Sequence, residues 1–521
     1  MNVPVADLAA SVGFDLPERY NAARLLWDNL QANADRPAIL HDSGTWSYAE
    51  LTAEAARIGN RLLDAARPGD RVLIFMDDEP ATPAAIMGAM RAGLVPMLIN
   101  TLSPPDLIRF FLEDSLATTA VVGSAFADLF GPQTVRGTAC REVLAAGERP
   151  WADASAELAE HPTTRRDMAF WMYSSGSTGR PKGVVHKHED AAYTAQTYAR
   201  AVLKTGPGDV CFSVPKIYFA YGFGNSLTFP MAAGAASVLM TGRPDPARVF
   251  AQIARHRPTL FFGLPTLYTA LARSGAAETA DLSSVRLCLS AAEILSEDIA
   301  HAWQDRFGHE IVEGLGSTEM LHIYLSNRPG GTRRGSAGQA VPGYAVRLVT
   351  PEGREAAPGE EGVMQVAGLS GAEYYWNRPE KTDETMKDGW LDTGDRFAVD
   401  ADGFYFFKGR ADDLVKVSGQ WVYPMEIELA LNEHPEVFES CVQAVPLEDR
   451  RMTVRAWVAP LPGVTPDGAL AERLKGFAKS RLLPHKYPRE IVFLDALPKT
   501  GTDKIDRQAL RRMARTPEDT T

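Results

Sequence analysis

The sequence lacks the features of a membrane protein, a disulfide-linked secreted protein or a nucleic-acid binder. No apolar run approaches the roughly 18 residues that a membrane helix needs, and the N-terminus MNVPVADLAASVGFDLPERY has no basic start typical of a signal peptide. The four cysteines contain no CxxC pair, which disfavours a zinc site or a disulfide framework. The net charge of −12 disfavours wholesale binding to nucleic acid or to an anionic membrane. These absences favour a cytoplasmic enzyme without a nucleic-acid or membrane partner.

What the chain has is typical of a large globular protein. Its 521 residues suffice for three or four folding units, with 45% apolar and 23% charged residues. Ala-rich helical patterns such as 48–66 alternate with short apolar strands such as 71–76 through the first 160 residues. This alternation predicts α/β units around a parallel sheet. From about residue 340, short strands separated by Gly, Pro and Asp predict a smaller β-rich unit.

The clearest boundary is the charged run GRADDLVK at 409–416, after which an α+β pattern resumes with a helix beginning near Pro424. We therefore predict an α/β protein in two parts. Residues 1–411 form a large N-terminal body of α/β subdomains plus the β-rich unit, and residues 412–521 form a small, mobile α+β C-terminal domain.

The segment MYSSGSTGRPKGVVHKH at 172–188 is typical of a phosphate-binding loop. Glycines let the backbone approach an anion, hydroxyls and amides donate hydrogen bonds, and a lysine adds positive charge. It is not a Walker loop, because Pro181 and Gly183 occupy positions that the Walker pattern does not allow. A flexible surface hairpin is the alternative. The predicted phosphate-binding residues are Ser174, Ser175, Gly176, Ser177, Thr178 and Lys182.

This loop resembles the signature of the AMP-forming adenylating enzymes, a superfamily of acyl- and aryl-CoA synthetases, peptide-synthetase adenylation domains and beetle luciferases. Four further segments match its signatures in order, so the resemblance covers nearly the whole chain. They are EGLGSTEM (313–320), GWLDTGD (389–395), GRADDLVKVSGQWVYPMEIE (409–428) and LPKTGTDKID (497–506).

The resemblance implies that a substrate carboxylate attacks the α-phosphate of ATP and expels pyrophosphate. The nucleophile is already anionic, so the protein must mainly position groups and neutralise charge. Lys504 matches the lysine that contacts the carboxylate and the α-phosphate, Thr318 a hydroxyl donor to that phosphate, and Glu319 the carboxylate that holds Mg²⁺. Outside these motifs, Lys504 would read as a solvated loop lysine, and Thr318 and Glu319 as part of a helix N-terminus.

Further residues match the family's nucleotide site. Asp395 corresponds to the aspartate that accepts hydrogen bonds from both ribose hydroxyls, with Arg410 beside it. Ala291, Ala292 and Glu293 fall where the family lines its adenine pocket. An aspartate in a TGD turn is otherwise an ordinary turn residue.

In the family's second half-reaction the thiol of coenzyme A attacks the acyl-adenylate, after the C-terminal domain rotates. Asp412 matches the hinge residue, and Gly419 matches the position whose missing side chain leaves room for the pantetheine arm. Without the resemblance, Asp412 would be a solvated linker acid and Gly419 a turn glycine.

The segments at 215–230 and 316–330 resemble the aromatic-acid branch, specifically the benzoate-CoA ligases. The residues implied to line the acid pocket are Ala220, Tyr221, Gly316, His322 and Ile323. Core packing is the alternative for these aromatic residues, and a structural role is the alternative for the histidine. The chain departs from the benzoate-ligase pattern at Val214, Pro215, Tyr218 and Phe223. Benzoate, 2-aminobenzoate and hydroxybenzoates therefore all stay open as substrates.

The hypothesis is an aryl-acid–CoA ligase that uses ATP, Mg²⁺ and coenzyme A. Three alternatives share the adenylation motifs: an enzyme that loads an aryl acid onto a carrier protein, a luciferase-like oxygenase, and a non-catalytic nucleotide-binding protein. Intact Lys504, Thr318, Glu319 and Asp395 disfavour the last. The oligomeric state is open, a homodimer included.

Overall fold

A nine-stranded sheet forms one half of the N-terminal body. The computed structural model describes residues 5–174, 181–291, 295–411, 415–417, 420–422, 424–446, 452–482, 486–499 and 505–514. From edge to edge the strands are Gln339–Ala340, Ile323–Ser326, Ile311–Gly316, Leu287–Ser290, Leu260–Gly263, Val210–Ser213, Ala236–Val238, Pro37–His41 and Gly44–Ser47. The six from 311–316 to 37–41 run parallel, and the edge strands are antiparallel. Parallel strands are covered on both faces, which explains their continuous apolar runs.

A seven-stranded sheet forms the other half. In spatial order its strands are Tyr374–Tyr375, Lys182–Lys187, Met168–Ser174, Val95–Leu98, Arg71–Phe75, Thr119–Val122 and Glu142–Ala145. The last five are parallel, whereas 182–187 returns antiparallel to 168–174 and pairs Ser174 with Lys182. The glycine-rich segment therefore connects the two strands of a hairpin.

Helices cover both sheets, and several begin where local sequence requires it. The predicted helix at 48–66 spans Tyr48–Leu63, and Ser47 and Glu50 cap it by exchanging hydrogen bonds with each other's backbone amides. The main α-helices of the body are Val5–Ser11, Arg24–Trp27, Tyr48–Leu63, Ala81–Arg91, Pro105–Ser115, Pro132–Val135, His188–Thr194, Ala220–Phe223, Phe229–Ala233, Pro246–His256, Pro265–Arg273, Glu297–Phe307 and Pro379–Thr385. Short 3₁₀ turns span Asp28–Gln31, Ser124–Phe130, Ala146–Glu148 and Gly275–Glu278.

Two helices contain a wider π-helical stretch. One continues from His188–Thr194 into Ala195–Arg200, and the other runs from 220 to 233 with Gly224–Thr228 in π form between two α segments. Such stretches occur frequently at functional sites.

The β-rich unit predicted beyond residue 340 is an antiparallel sheet. It contains strands Ala345–Val349, Glu361–Ala367, Trp390–Val399, Met386–Lys387 and Tyr405–Arg410. After it, strands Val437–Pro446, Met452–Pro460 and Glu490–Phe493 form a three-stranded sheet with helices Pro424–Asn432, Gly468–Arg481 and Arg507–Ala514, and Val415–Val417 pairs with Gln420–Val422.

The predicted fold class is therefore confirmed: α/β layers, a β-rich unit and a small α+β region near the C-terminus. The domain boundary at 411/412 stays a prediction, because residues 412–414 lie outside the described part. Within that part, no helix combines the length and the apolar character needed to cross a bilayer. All four cysteines are free and buried.

Candidate active site

Two hairpins, one from each large sheet, meet at the candidate site. We call residues 168–187 the loop hairpin, because the glycine-rich segment connects its strands. We call residues 311–326 the acid hairpin, because its strands Ile311–Gly316 and Ile323–Ser326 are joined by the turn containing Thr318 and Glu319. Residues from the two hairpins contact each other directly, so each sheet contributes one side of the site.

Glu319 connects the acid hairpin to the loop hairpin. Its Oε1 lies 3.1 Å from Lys182 Nζ and accepts hydrogen bonds from the hydroxyls of Tyr375, at 2.9 Å, and Ser174, at 3.4 Å. Lys182 Nζ also lies 3.8 Å from the centre of the Tyr375 ring, in cation–π contact. A carboxylate, a lysine and a hydroxyl from the predicted phosphate site therefore form one cluster.

The Glu319 carboxyl is held in its ionised form. Its burial would raise its pKa, but the Lys182 charge and the hydrogen bonds from Tyr375 and the backbone outweigh this and lower the pKa below its ordinary value. The side chain is only 16% exposed, so its charge acts in a region of low water content.

Thr318 is fixed through its backbone. Its carbonyl oxygen accepts hydrogen bonds from His186 Nε2 at 2.8 Å and from the Leu321 amide at 3.0 Å. Leu321 is buried with φ +64°, a left-handed conformation that is uncommon for leucine. The turn at the tip of the acid hairpin is therefore tightly constrained.

Asp395 and Arg410 lie on neighbouring strands of the β-rich unit as a directly paired couple. Arg410 donates to the Asp395 carboxylate at 2.8 Å and to the Thr393 carbonyl at 2.9 Å. The Thr393 hydroxyl oxygen accepts a hydrogen bond from the Asp395 amide at 3.1 Å. These bonds orient the carboxylate that the resemblance assigns to the ribose.

The predicted acid-pocket residues come from the acid hairpin and from the helix at 220–233. His322 Nε2 donates to the Tyr221 carbonyl at 3.2 Å, and the His322 ring packs against the rings of Tyr198, Tyr221 and Phe229. Burial lowers the pKa of His322 to about 3, so the ring is neutral. Its Nδ1 has no hydrogen-bond partner among the described residues.

The surroundings of these predicted acid-pocket residues are mostly apolar, with a few buried polar atoms. Tyr221 packs edge-on against Phe262, and burial raises the pKa of its hydroxyl well above the ordinary value. Within the described part of the chain, the Tyr221 hydroxyl and both amide atoms of the fully buried Asn225 make no geometrically good hydrogen bond. Ile323 is 2% exposed, and Ala220, at the start of the helix segment Ala220–Phe223, is half-buried.

Two glycines allow the helix and the hairpin to approach. A Cβ on Gly316 would lie 2.5 Å from the His322 carbonyl oxygen, so no larger residue fits at the base of the turn. A Cβ on Gly224 would lie 2.3 Å from His322 Cδ2. A side chain at either glycine would therefore displace His322.

Adding one methyl group at Gly224 is expected to disturb the pocket. Because Gly224→Ala must displace His322, we expect it to lower the free energy of unfolding by about 1–3 kcal/mol and to raise the KM for the acid. Denaturant unfolding and initial-rate kinetics measure the two effects. Gly206→Ala is the matched control, because a Cβ there meets no atom within 4 Å. Equal behaviour of the two variants would contradict the close packing.

The residues present fit a magnesium ion bound with ATP. Among the described residues, no three His, Cys, Asp or Glu side chains cluster to hold a metal by themselves. Mg²⁺ on a nucleotide does not require such a cluster, since it takes one or two carboxylates and completes its shell with phosphate oxygens and water. Glu319 supplies one ionised carboxylate of this kind.

The structure brings together seven predicted residues around Glu319 and the acid pocket: Ser174, Lys182, Thr318, Tyr221, Gly316, His322 and Ile323. Ala291 is buried at the end of strand Leu287–Ser290. Ala220, Asp395 and Arg410 are described above, and nine predicted site residues lie outside the described part: Ser175, Gly176, Ser177, Thr178, Ala292, Glu293, Asp412, Gly419 and Lys504.

Sequence reasoning missed Tyr375, His186 and Asp190. Tyr375 has no recognisable motif around it and reaches Glu319 through the pairing of strand Tyr374–Tyr375 with the loop hairpin. His186 and Asp190 carry a weak signal, because their spacing of four residues suits a side-chain pair.

Comparison with known proteins gives a consistent result. The chain matches the AMP-binding enzyme family over residues 26–376 and the AMP-binding enzyme C-terminal domain over residues 426–504. It is 42% identical over 508 residues to benzoate–CoA ligase of Thauera aromatica, covering 95% of this chain and 96% of that protein.

Solved structures extend this similarity to the fold. The anthranilate CoA ligase AuaEII in complex with anthranoyl-AMP is 35% identical, with a TM-score of 0.91 over 98% of this chain and 99% of that one. A benzoate CoA ligase from Burkholderia xenovorans LB400 is 38% identical, with a TM-score of 0.87 over 94% of this chain and 100% of that one.

Proposed function

Because the chain belongs to the AMP-binding enzyme family, we propose that it activates an aromatic carboxylic acid with ATP and transfers the acyl group to coenzyme A. It is an AMP-forming acid–CoA ligase, as its similarity to a benzoate–CoA ligase across 95% of its length supports. The proposed substrate is benzoate or a benzoate with a small ring substituent, such as 2-aminobenzoate or a hydroxybenzoate.

The reaction has two steps. A carboxylate oxygen of the acid bonds to the α-phosphorus of ATP while the bond to the bridging oxygen of pyrophosphate breaks. The thiol sulfur of coenzyme A then bonds to the acyl carbon and AMP leaves, with the thiol proton lost to solvent. Neither step needs a protein nucleophile, so the protein contributes positioning and charge.

The Glu319 cluster suits the first step. Lys182 offers positive charge beside the glycine-rich segment, where the resemblance places the phosphates. Bound at Glu319, Mg²⁺ would neutralise triphosphate charge and favour departure of pyrophosphate. In the same proposal Thr318 donates its hydroxyl to the α-phosphate, and Asp395 with Arg410 orients the ribose.

The observation that carries the proposal is that one hairpin contains both Glu319, assigned to the phosphate site, and the residues assigned to the acid pocket. Glu319 and His322 lie in its turn, and Gly316 and Ile323 pair across the base of that turn. The acid pocket and the phosphate site are thus separated by only a few residues of backbone, as in-line attack on the α-phosphate requires. The apolar cluster that contains Tyr221, Phe229 and Ile323 would suit a flat aromatic ring.

Mass spectrometry of reactions with ATP, Mg²⁺ and a panel of aromatic acids, each with and without coenzyme A, tests the proposal. Aryl-CoA plus AMP is expected for benzoate or a substituted benzoate, and it names the substrate directly. Adenylate that accumulates while coenzyme A is ignored would instead support loading of a carrier protein. Absence of turnover with every aromatic acid would contradict the proposal.

Substitution of Gly419 tests the path of coenzyme A. We expect Gly419→Leu to lower thioester formation by about 10²-fold because its side chain would fill the pantetheine tunnel, while adenylate formation stays near that of the wild type. Separate assays of pyrophosphate exchange and of thioester formation distinguish the two. Gly476→Leu is the control, since a Cβ there meets nothing within 4 Å. Normal overall turnover of Gly419→Leu would show that the tunnel is elsewhere.

The cytoplasm is the compartment that we propose, because reduced thiols persist there. All four cysteines are free and buried, consistent with a reducing environment.

A further inference from the structure

A fully buried polar pair lies directly beneath the turn that holds Thr318. His186 and Asp190 are both 0% exposed, and His186 Nδ1 lies 2.9 Å from Asp190 Oδ2. On the opposite edge of the ring, His186 Nε2 contacts the Thr318 carbonyl oxygen. The imidazole therefore joins the helix that follows the loop hairpin to the tip of the acid hairpin.

The hydrogen-bond donors and acceptors of this pair are fixed by its neighbours. The Thr318 carbonyl can only accept, so His186 Nε2 must carry a proton. Asp190 Oδ2 already accepts the Lys187 backbone amide at 3.0 Å, and as a carboxylate oxygen it can only accept. The contact between His186 Nδ1 and Asp190 Oδ2 is a second hydrogen bond of the ring, so both ring nitrogens are engaged.

Packing leaves the ring a single orientation. Phe170 stacks on His186 with ring centres 5.4 Å apart and planes inclined by 22°, and Phe170 in turn contacts Phe223 of the helix at 220–233. With one face covered and both nitrogens engaged, the ring cannot turn without losing a buried hydrogen bond.

Stability alone does not account for such a pair. Burying charged or strongly polar partners costs desolvation free energy, and apolar side chains of similar volume often serve a fold equally well. Asp190 could cap its helix without His186, because the Lys187 amide already bonds to it. What the histidine adds is the bond to Thr318.

We propose that His186, oriented by Asp190, is a positioning residue that fixes Thr318 and Glu319 for adenylate formation. The inference rests on the proposed function, because it takes Thr318 and Glu319 to act on the phosphates of ATP. Without the Nε2 hydrogen bond the turn has one fewer anchor, and an error of about 1 Å in placing a catalytic group can cost about 10²-fold in rate.

Two substitutions of His186 separate the two ring nitrogens. In His186→Gln the amide nitrogen reaches approximately the position of Nε2 and can still donate to Thr318. In His186→Asn the amide reaches only the position of Nδ1, so the bond to Thr318 is lost. We expect His186→Asn to lower kcat for ATP–pyrophosphate exchange by 30- to 100-fold. The KM for the acid should stay within about 2-fold, and His186→Gln should recover at least a third of the wild-type rate.

His188 provides the matched control. It is a second buried histidine two residues away, and its Nδ1 accepts a hydrogen bond from the Ala22 amide at 3.0 Å, away from the acid hairpin. His188→Asn is expected to lower Tm without a selective loss of exchange rate. An equal loss of rate in His186→Asn and His188→Asn, or no recovery in His186→Gln, would overturn the proposal.

If His186→Asn does not fold, Asp190→Asn tests the same proposal. Asparagine can accept the same hydrogen bonds but carries no negative charge to hold the ring, so a loss of about 5- to 10-fold in exchange rate is expected with the acid KM unchanged. Wild-type exchange by folded Asp190→Asn would overturn the role of the pair. Absence of exchange by the wild-type enzyme with every acid would instead refute the proposed function.

Discussion

Replacement of Glu319 by glutamine is expected to lower the rate of adenylate formation by about 10³-fold. Glutamine keeps the size of the side chain and can still accept a hydrogen bond from Tyr375, but it carries no charge for Lys182 or for Mg²⁺. The loss should fall on the chemical step and not on binding of the acid, because the Glu319 carboxylate contacts Lys182, Tyr375 and Ser174. ATP–pyrophosphate exchange measured across a range of Mg²⁺ concentrations tests both statements.

Glu373→Gln is the control for this substitution. Glu373 is 56% exposed and pairs with Lys187 at 3.4 Å, so it is a second acid that contacts the loop hairpin but not Glu319. Its substitution should leave adenylation within about 2-fold of the wild type, because an exposed ion pair contributes little. If Glu319→Gln retained more than a tenth of wild-type exchange, Glu319 would not be the magnesium ligand.

Substitution of Lys504 is expected to separate the two half-reactions. We expect Lys504→Ala to lower adenylate formation by about 10³-fold, because a lysine that contacts both the carboxylate and the α-phosphate stabilises charge that develops in that step. Thioester formation from a supplied aryl-adenylate should stay within about 10-fold of the wild type. Single-turnover assays of each half-reaction measure the difference.

The residues that flank Lys504 supply a control. Lys499 and Ile505 pair as an isolated antiparallel bridge, which brings together the two ends of the segment containing Lys504. The Lys499 ammonium is occupied by an ion pair with Glu439. Lys499→Ala should therefore keep the adenylation rate near that of the wild type. Equal loss of both half-reactions in Lys504→Ala would show that the lysine is not specific to adenylation.

The loop hairpin could be predicted from local sequence, because an apolar run on each side of the glycine-rich segment marks the paired strands that Ser174 ends and Lys182 begins. Glu319 was singled out only by the resemblance of its motif to a family signature. The helix at 48–66 and the helix starting at Pro424 were equally visible, because a capping residue or a proline marks their first turns.

Long-range pairing was not visible in the sequence. Tyr375 is 56 residues from Glu319 and reaches it only because a two-residue strand joins the edge of the seven-stranded sheet. His186 is 132 residues from Thr318, and no local pattern specifies which carbonyl its ring contacts. The π-helical stretch Gly224–Thr228, which approaches His322 closely at Gly224, likewise has no local pattern that predicts it.

In the proposed function, the acid hairpin makes the range of accepted acids and the turnover rate depend on each other. A substitution of Ile323 intended to admit a bulkier ring would act on the residue paired with Gly316, where a Cβ would lie only 2.5 Å from the neighbouring backbone. Any backbone shift there is transmitted to the turn containing Glu319. Laboratory evolution toward larger acids should therefore accumulate its tolerated changes on the helical wall, at Ala220 and Tyr221, before the hairpin wall.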